Sequence, residues 1–105
     1  MLKKKERLSR AAFNHFFSIG KRRHSFNVQL LYTPHTSFHG SVVVGKKVFK
    51  KAVDRNALRR SLYGVLYRHH KAADCTGVYI LVVKPSAKNT TSKKLLTEVA
   101  ELLSK

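Results

Sequence analysis

Acidic residues are scarce in this sequence, and their scarcity limits what the protein can catalyse. Five Asp and Glu stand against 22 Lys and Arg in 105 residues, so the net charge is +17. A nuclease that works with two metal ions needs clustered carboxylates to hold them. The acids are scattered along the chain, and only Glu98 and Glu101 share a face of a predicted helix. We therefore expect no catalytic residue and no directly bound metal in the polypeptide.

Cysteine and long apolar runs are also nearly absent. The single cysteine, Cys75, cannot form an internal disulfide, which agrees with a reducing compartment. A zinc site with His69 and His70 lacks a fourth ligand at finger spacing, and adjacent histidines diverge on a helix. No run approaches about 18 apolar residues, and the N-terminal segment lacks the apolar core of a signal peptide. We expect a cytoplasmic protein with no membrane partner.

Enough apolar residues remain to fold one domain. Hydrophobic side chains make up 43% of the chain, and six Phe and four Tyr are among them. A chain of 105 residues has room for one domain and a modest core. We expect a single domain over residues 1–105, in which residues 1–8 form a flexible basic tail.

Apolar periodicity predicts a helix and two strands in the first half of the chain. The helix is predicted over residues 9–19, from a cap at Ser9 to a stop at Gly20. Residues 26–32 alternate apolar and polar side chains, and residues 39–45 form a β-branched run. Both patterns are typical of strands.

The second half predicts helix, strand and helix. Asp54 is predicted to cap a helix over residues 55–70, and Pro85 to stop a strand too apolar for a sheet edge. A last helix is predicted after a cap at Thr91 or Ser92. The fold class is therefore α+β, a small sandwich with three helices and one mixed sheet. General physics predicts a right-handed crossover between parallel strands.

The segment KKVFKKAVDRNALRR, from Lys46 to Arg60, concentrates the positive charge. Its predicted helix presents amide, guanidinium and phenol groups on adjoining arcs of one side, from Arg55, Asn56, Arg59, Arg60 and Tyr63. Guanidinium forks match phosphate, and the free N–H groups of a helix start favour it. A merely solvated face would include acids at i+4 spacing, but none lies between Arg55 and His70. This face is typical of proteins that bind folded RNA.

The overall charge points to the same class of partner. Self-repulsion at +17 destabilises a compact state unless an anionic partner or salt neutralises it. A pI near 10.6 with interleaved aromatics indicates nucleic acid or an anionic membrane surface. A membrane-surface protein would carry its cations and its apolar stripe on an interfacial helix. Here both are organised around one core, so nucleic acid is favoured as the partner. Four lysines are either phosphate contacts or protection of a sheet edge: Lys46, Lys47, Lys50 and Lys51.

The paired aromatics of the first predicted helix have two interpretations. Phe13, Phe16 and Phe17 recur at helical spacing, so they cannot all face one cleft and one core. Phe16 is assigned to the core. The residues alone leave Phe13 and Phe17 open between core packing and an RNA-stacking surface.

The basic segment resembles the signature of the bacterial ribonuclease P protein component, in which a Lys-Lys pair precedes a basic stretch and an Arg-Asn. The stretches RLSRAAFNHFFSIGKR and VYILVVKP resemble that family's opening helix and last strand. Ala57 and Tyr63 stand where members commonly carry basic residues. The resemblance implies an α/β sandwich with a left-handed β-α-β crossover, which replaces the right-handed expectation.

The resemblance also implies a function. Family members assist a catalytic RNA that removes the 5′ leader of precursor tRNA, with Mg²⁺ held largely by the RNA. Carried over, the residues that would contact the catalytic RNA are Arg55, Asn56, Arg59, Arg60, Lys46 and Lys47. Phe13, Phe17 and Tyr32 would line a cleft for the leader. The expected partners are ribonuclease P RNA and precursor tRNA, and the protein is expected to be monomeric without RNA. The alternative is a structural RNA-binding protein of ribosomal type.

Overall fold

The computed structural model describes residues 6–73 and 76–104. Over these residues the chain forms three α-helices, four strands and a 3₁₀ turn at Pro85–Asn89. The helices are α1 (Arg10–Ile19), α2 (Ala52–Ala73) and α3 (Ser92–Leu103). The strands are β1 (Lys21–His24), β2 (Val28–Thr33), β3 (Phe38–Val44) and β4 (Gly77–Val83).

One mixed sheet has the strand order β1-β2-β4-β3. β2 pairs antiparallel with both β1 and β4, whereas β3 and β4 are parallel and are joined by α2. The α+β class, the mixed sheet and the position of β4 away from the sheet edges are confirmed. The left hand of the β3-α2-β4 crossover stays a prediction.

The sheet separates two hydrophobic cores, because successive side chains of a strand point to opposite faces. The larger core lies between the sheet and the helices α2 and α3. It includes Val28, Leu30, Val42, Val44, Leu81, Leu58, Leu62, Leu66, Leu95, Val99 and Leu102. On the other face, Leu31, Val78 and Ile80 form a smaller core against α1. Burial of each such side chain stabilises the fold by about 1.5 to 3 kcal/mol.

The caps of α1 and α3 form as predicted. Ser9 accepts a hydrogen bond from the Ala12 amide, and Thr91 accepts one from the Lys94 amide. Gly20 ends α1, and a Cβ there would lie 2.9 Å from the Phe16 carbonyl oxygen. The Asp54 cap is wrong, because α2 begins at Ala52 and Asp54 lies in its first turn. There its negative charge interacts favourably with the positive end of the helix dipole.

Arg7 and Leu8, which were predicted to belong to a flexible tail, make contacts in the fold. Arg7 forms a parallel β-bridge with Gly40 at the outer side of β3, and Leu8 packs against the smaller core. Residues 6–8 are therefore part of the fold, and the rest of that predicted tail lies outside the described residues, as does Cys75.

A buried polar network fixes the turn between β1 and β2. Asn27 is only 4% exposed, and its backbone and side-chain amides donate to the Glu98 carboxylate at 2.7 and 3.0 Å. Ser25 also donates to Glu98, and the Lys84 ammonium donates to the Ser25 carbonyl at 2.8 Å. Ser86 donates to the Asn27 side-chain oxygen at 2.9 Å. These bonds join the turn to α3 and to the segment after β4.

The same network perturbs the pKa of Glu98. Partial burial alone would raise that pKa, but the hydrogen bonds from Ser25 and Asn27, with the charge of Lys84, outweigh it. The net effect is a pKa below the ordinary value, so the carboxylate is ionised in the fold.

Candidate nucleic-acid interface

The larger core sets the orientation of α2. Leu58, Leu62 and Leu66 are buried against the sheet and α3, so the opposite side of the helix faces outward. Asn56 and Arg60 are exposed on that outer side, and Arg59 is partly buried. The predicted basic face is therefore present and accessible, and we call it the α2 basic face.

Four of the predicted RNA contacts meet in a shallow pocket of about 200 Å³ on this face. Its lining consists of Arg7, Asn56, Arg59, Arg60 and Tyr63. The Arg59 guanidinium donates to the Asn56 side-chain oxygen at 2.6 Å, which orients both side chains. Three guanidinium groups around one concavity favour a phosphate as the occupant.

Arg7 was missed by sequence reasoning because it was assigned to a tail. It reaches the pocket because its backbone bridges to Gly40 on β3, the strand beside α2. The basic character of residues 1–10 was visible in the sequence, but the pairing of Arg7 with an edge strand was not.

Two of the predicted RNA contacts, Tyr63 and Arg55, also form hydrogen bonds within the protein. The Tyr63 hydroxyl accepts a hydrogen bond from the Val42 amide of β3 at 3.3 Å. The Arg55 guanidinium donates to the Phe49 and Lys50 carbonyls at 3.0 and 2.7 Å. Tyr63 and Arg55 therefore anchor α2 and the loop before it, in addition to any contact with RNA.

The four predicted lysines are all exposed: Lys46, Lys47, Lys50 and Lys51. They lie between β3 and α2, at the sheet end where α2 begins. The start of a helix carries a partial positive charge, so these lysines extend a field that already attracts anions. The lysines and the α2 basic face form one continuous segment of the chain.

A second surface lies on the opposite face of the sheet, along α1. The rings of Phe13 and Phe17 stack with centroids 5.5 Å apart, and the Arg22 guanidinium lies 5.1 Å from the centre of the Phe17 ring. Both rings are half-buried against the smaller core, as is Phe16. We call Phe13, Phe17 and Arg22 the α1 aromatic surface. Arg22 belongs to β1, which the sequence patterns did not predict.

The structure does not bring Tyr32 to the α1 aromatic surface. Tyr32 packs against the larger core, and its ring lies 5.0 Å from that of Tyr79. Its neighbour Leu31 points to the α1 side. A residue on the opposite face of the sheet cannot form the floor of a cleft beside α1, so this assignment is wrong.

Histidines extend the aromatic contacts of α1 toward the loop between β2 and β3. The Phe16 ring contacts those of His15 and His35, at 5.0 and 6.0 Å between centroids. His35 lies 5.3 Å from His39, and the Ser37 hydroxyl lies within hydrogen-bond distance of both rings. The sequence patterns did not predict that these histidines meet.

His69 and His70 belong to the helix–sheet packing instead. His70 stacks on Phe38 with centroids 4.2 Å apart, and His69 meets the Tyr79 ring at 5.9 Å. Burial, and secondarily the charge of His70, lower the pKa of His69.

Within residues 6–73 and 76–104, no group of three His, Cys, Asp or Glu is arranged to hold a metal ion. In the same residues, no helix is long and apolar enough to cross a membrane.

Fold and surface together define a small basic RNA-binding protein: a mixed sheet that carries a cationic helix on one face and an aromatic surface on the other. A family model described as Ribonuclease P matches residues 2–105. The chain therefore belongs to the ribonuclease P protein family. This match supports the ribonuclease P interpretation and not the ribosomal-type alternative.

Individual relatives agree with the family. The ribonuclease P protein component of Phytoplasma australiense is 34% identical over 70 residues, covering 67% of this chain and 60% of that protein. The one from Prochlorococcus marinus is 37% identical over 84 residues, covering 73% of this chain and 66% of that protein. The chain thus matches 60% and 66% of these relatives' lengths. The RNase P protein structure from Thermotoga maritima has the same fold: TM-score 0.78 at 22% identity, covering 93% of this chain and 94% of that one.

Proposed function

We propose that this chain is the protein subunit of ribonuclease P, which binds a catalytic RNA and the 5′ leader of precursor tRNA and so promotes endonucleolytic removal of the leader. The observation that carries this proposal is the α2 basic face, in particular the pocket where Arg7, Arg59 and Arg60 meet. In the proposed complex the catalytic RNA is the main partner of this face. The chain works in the cytoplasm and is monomeric until it meets the RNA.

The α1 aromatic surface supplies the second contact. Phe13 and Phe17 offer stacked rings, and Arg22 adds a charge beside them. Stacking of unpaired bases on aromatic rings tolerates sequence variation, because every base has a π-face. A subunit that receives the leaders of many different tRNA precursors needs this tolerance.

The protein's own part in the reaction is to bind and orient RNA. In this proposal, activation of water and stabilisation of the leaving oxygen would come from Mg²⁺ held largely by RNA phosphates. Positive charge on α2 and on the lysines before it lowers the repulsion between RNA segments that approach the reaction centre. The protein contributes no nucleophile and no general base in this proposal.

A precursor tRNA cleavage assay at low Mg²⁺ tests the proposal. Ribonuclease P RNA is incubated with and without the protein, and the protein is also assayed alone. We expect stimulation only when both are present. Cleavage by the protein alone would contradict the division of roles, and no effect with a cognate RNA would contradict the function.

Two substitutions test which surface binds the catalytic RNA and which binds the precursor tRNA. Arg60→Ala is expected to weaken binding of the catalytic RNA, whereas Arg68→Ala, also exposed on α2 but in the groove beside α3, serves as the matched control. Phe17→Ala is expected to weaken binding of precursor tRNA more than mature tRNA. Equal losses of affinity for both tRNAs would contradict a contact between this surface and the leader.

A further inference from the structure

One large aromatic side chain is presented to solvent at the turn between β1 and β2. Phe26 is 81% exposed, although most phenylalanines of this fold lie against one of the two cores. An exposed ring gives up the stabilisation that burial would provide. The Phe26 ring therefore adds little to either core and is accessible to a binding partner.

The backbone on both sides of Phe26 is held firmly. The Ser25 amide donates to the Val28 carbonyl at 2.9 Å. The Phe26 carbonyl lies 3.1 Å from the Ser86 hydroxyl and shares its hydrogen with the Asn27 side-chain oxygen. Asn27 is buried in the network with Glu98. The ring therefore projects from a turn whose conformation is already fixed, so binding would cost little ordering of the backbone.

The turn lies at the cationic end of the sheet. Val28 of β2 and Val44 of β3 both pair with Val83 of β4, so the turn before β2 and the loop after β3 leave the sheet at the same end. Four strands at about 4.8 Å per neighbouring pair span about 14 Å. Basic side chains carried by the segments at this end are His24, Lys46, Lys47, Lys50, Lys51, Lys84 and Lys88. We call it the basic end.

We propose that Phe26 is a stacking platform for an unpaired RNA nucleotide at the basic end of the sheet. The ring takes the base, and lysines of the basic end take nearby phosphates of the same strand. This ligand is favoured over an apolar protein surface because the cations carried at this end of the sheet complement a polyanion. The inference rests on the RNA binding proposed above and adds a contact separate from the α2 basic face and the α1 aromatic surface.

Three variants of the full chain test the stacking contact. Phe26→Ala removes the ring, Phe26→Leu keeps an apolar side chain without a ring, and Phe26→Trp keeps a ring. Affinity for ribonuclease P RNA is measured by filter binding over a series of salt concentrations. We expect Phe26→Ala and Phe26→Leu to weaken binding by between about fivefold and about 100-fold, and Phe26→Trp to bind like the wild type. The slope against salt stays that of the wild type, because no ionic contact is removed.

A second arm identifies the RNA that supplies the base. Precursor tRNA affinity is measured with the protein already saturated by ribonuclease P RNA. A loss confined to this arm assigns the stacked base to the precursor, and a loss in the first arm assigns it to ribonuclease P RNA. Either result supports the inference.

The opposite outcomes are equally clear. Wild-type affinity of Phe26→Ala in both arms, with an unchanged melting temperature, would overturn the stacking contact while leaving the proposed function intact. If Phe26→Leu binds RNA like the wild type while Phe26→Ala does not, the contact needs an apolar side chain and no ring. That result would overturn the stacking contact. Failure of the wild-type protein itself to bind ribonuclease P RNA would instead remove the proposed function.

Discussion

Arg55 and Arg60 carry the same charge on the same helix but have different surroundings. Arg55 donates to the Phe49 and Lys50 carbonyls, so part of its hydrogen-bonding capacity holds the loop that leads into α2. Arg60 is exposed and lines the pocket on the α2 basic face. A cation's position on a helical wheel therefore does not by itself assign it to RNA or to the fold.

These two arginines predict opposite results on truncation. Arg55→Ala should lower the free energy of unfolding by about 1 to 2 kcal/mol, because two carbonyls lose a charged donor. Arg60→Ala should leave the free energy of unfolding unchanged and weaken RNA binding. Urea unfolding and RNA titration of both variants check this. Equal losses of stability would show that Arg60 also supports the fold.

At the scale of secondary structure, patterns with a buried apolar stripe were readable from sequence. The last helix follows its cap at Thr91, and β4 lies away from the sheet edges, as its apolar run predicted. β1 was missed because KRRH has no apolar alternation, and backbone pairing to β2 alone defines it. The start of α2 was missed because Val53, 75% exposed, contributes nothing to an apolar stripe.

The site was predictable where one helix contains it. Asn56, Arg59 and Arg60 share the α2 basic face because helical spacing fixes their relative directions. Tyr32 shows the limit of this reasoning. Alternation in β2 correctly groups it with Val28 and Leu30 on one face. Which face α1 covers depends on tertiary packing, and α1 covers the other.

The close packing of α1 against β2 predicts that position 20 requires glycine, as Gly20 provides. A Cβ at this position would lie 2.9 Å from the Phe16 carbonyl oxygen and 3.3 Å from the Leu31 Cβ. Gly20→Ala should therefore lower the free energy of unfolding by about 1 to 3 kcal/mol. Gly45→Ala is the matched control, since a Cβ at Gly45 would meet no neighbouring atom within 4 Å. Denaturant unfolding compares them, and equal stability of both variants would contradict the tight contact.

Attachment of α3 to the β1–β2 turn should depend on pH through Glu98. The folded-state pKa lies below the ordinary 4.5, so the carboxylate stabilises the fold above about pH 4.5. That contribution is lost as the pH falls from 4.5 through the folded-state pKa. Glu98→Gln should lower the free energy of unfolding by about 1.5 to 3 kcal/mol at neutral pH.

The control for this prediction is Glu101→Gln, an exposed acid on the same helix. Unfolding is measured from pH 7 down to about pH 3. The difference between wild type and Glu98→Gln should shrink as the pH falls, whereas Glu101→Gln should follow the wild type. A difference that stays constant with pH would mean that Glu98 acts through shape and not through charge.

At the scale of the whole molecule, the net charge of +17 acts in opposite directions on folding and on binding. Added salt screens repulsion within the free protein, so its melting temperature should rise with ionic strength. The same salt should weaken RNA binding, with a slope of about 0.7 to 0.9 per neutralised phosphate on logarithmic axes. Thermal melts and RNA titrations over one salt series check both directions. A flat RNA titration would contradict an electrostatic interface.

The two edges of the sheet are closed to strand addition by different means. The β3 edge has the Arg7 bridge and the Tyr63 hydroxyl on the Val42 amide. β1 is exposed along its length, and its side chains are three cations and a histidine. Exposed edges are templates for aggregation, and charge is one protection against it. Polyanions cancel that protection, so the solubility of the protein depends on the mixing ratio with RNA. Near charge equivalence, the β1 edge is where copies can join.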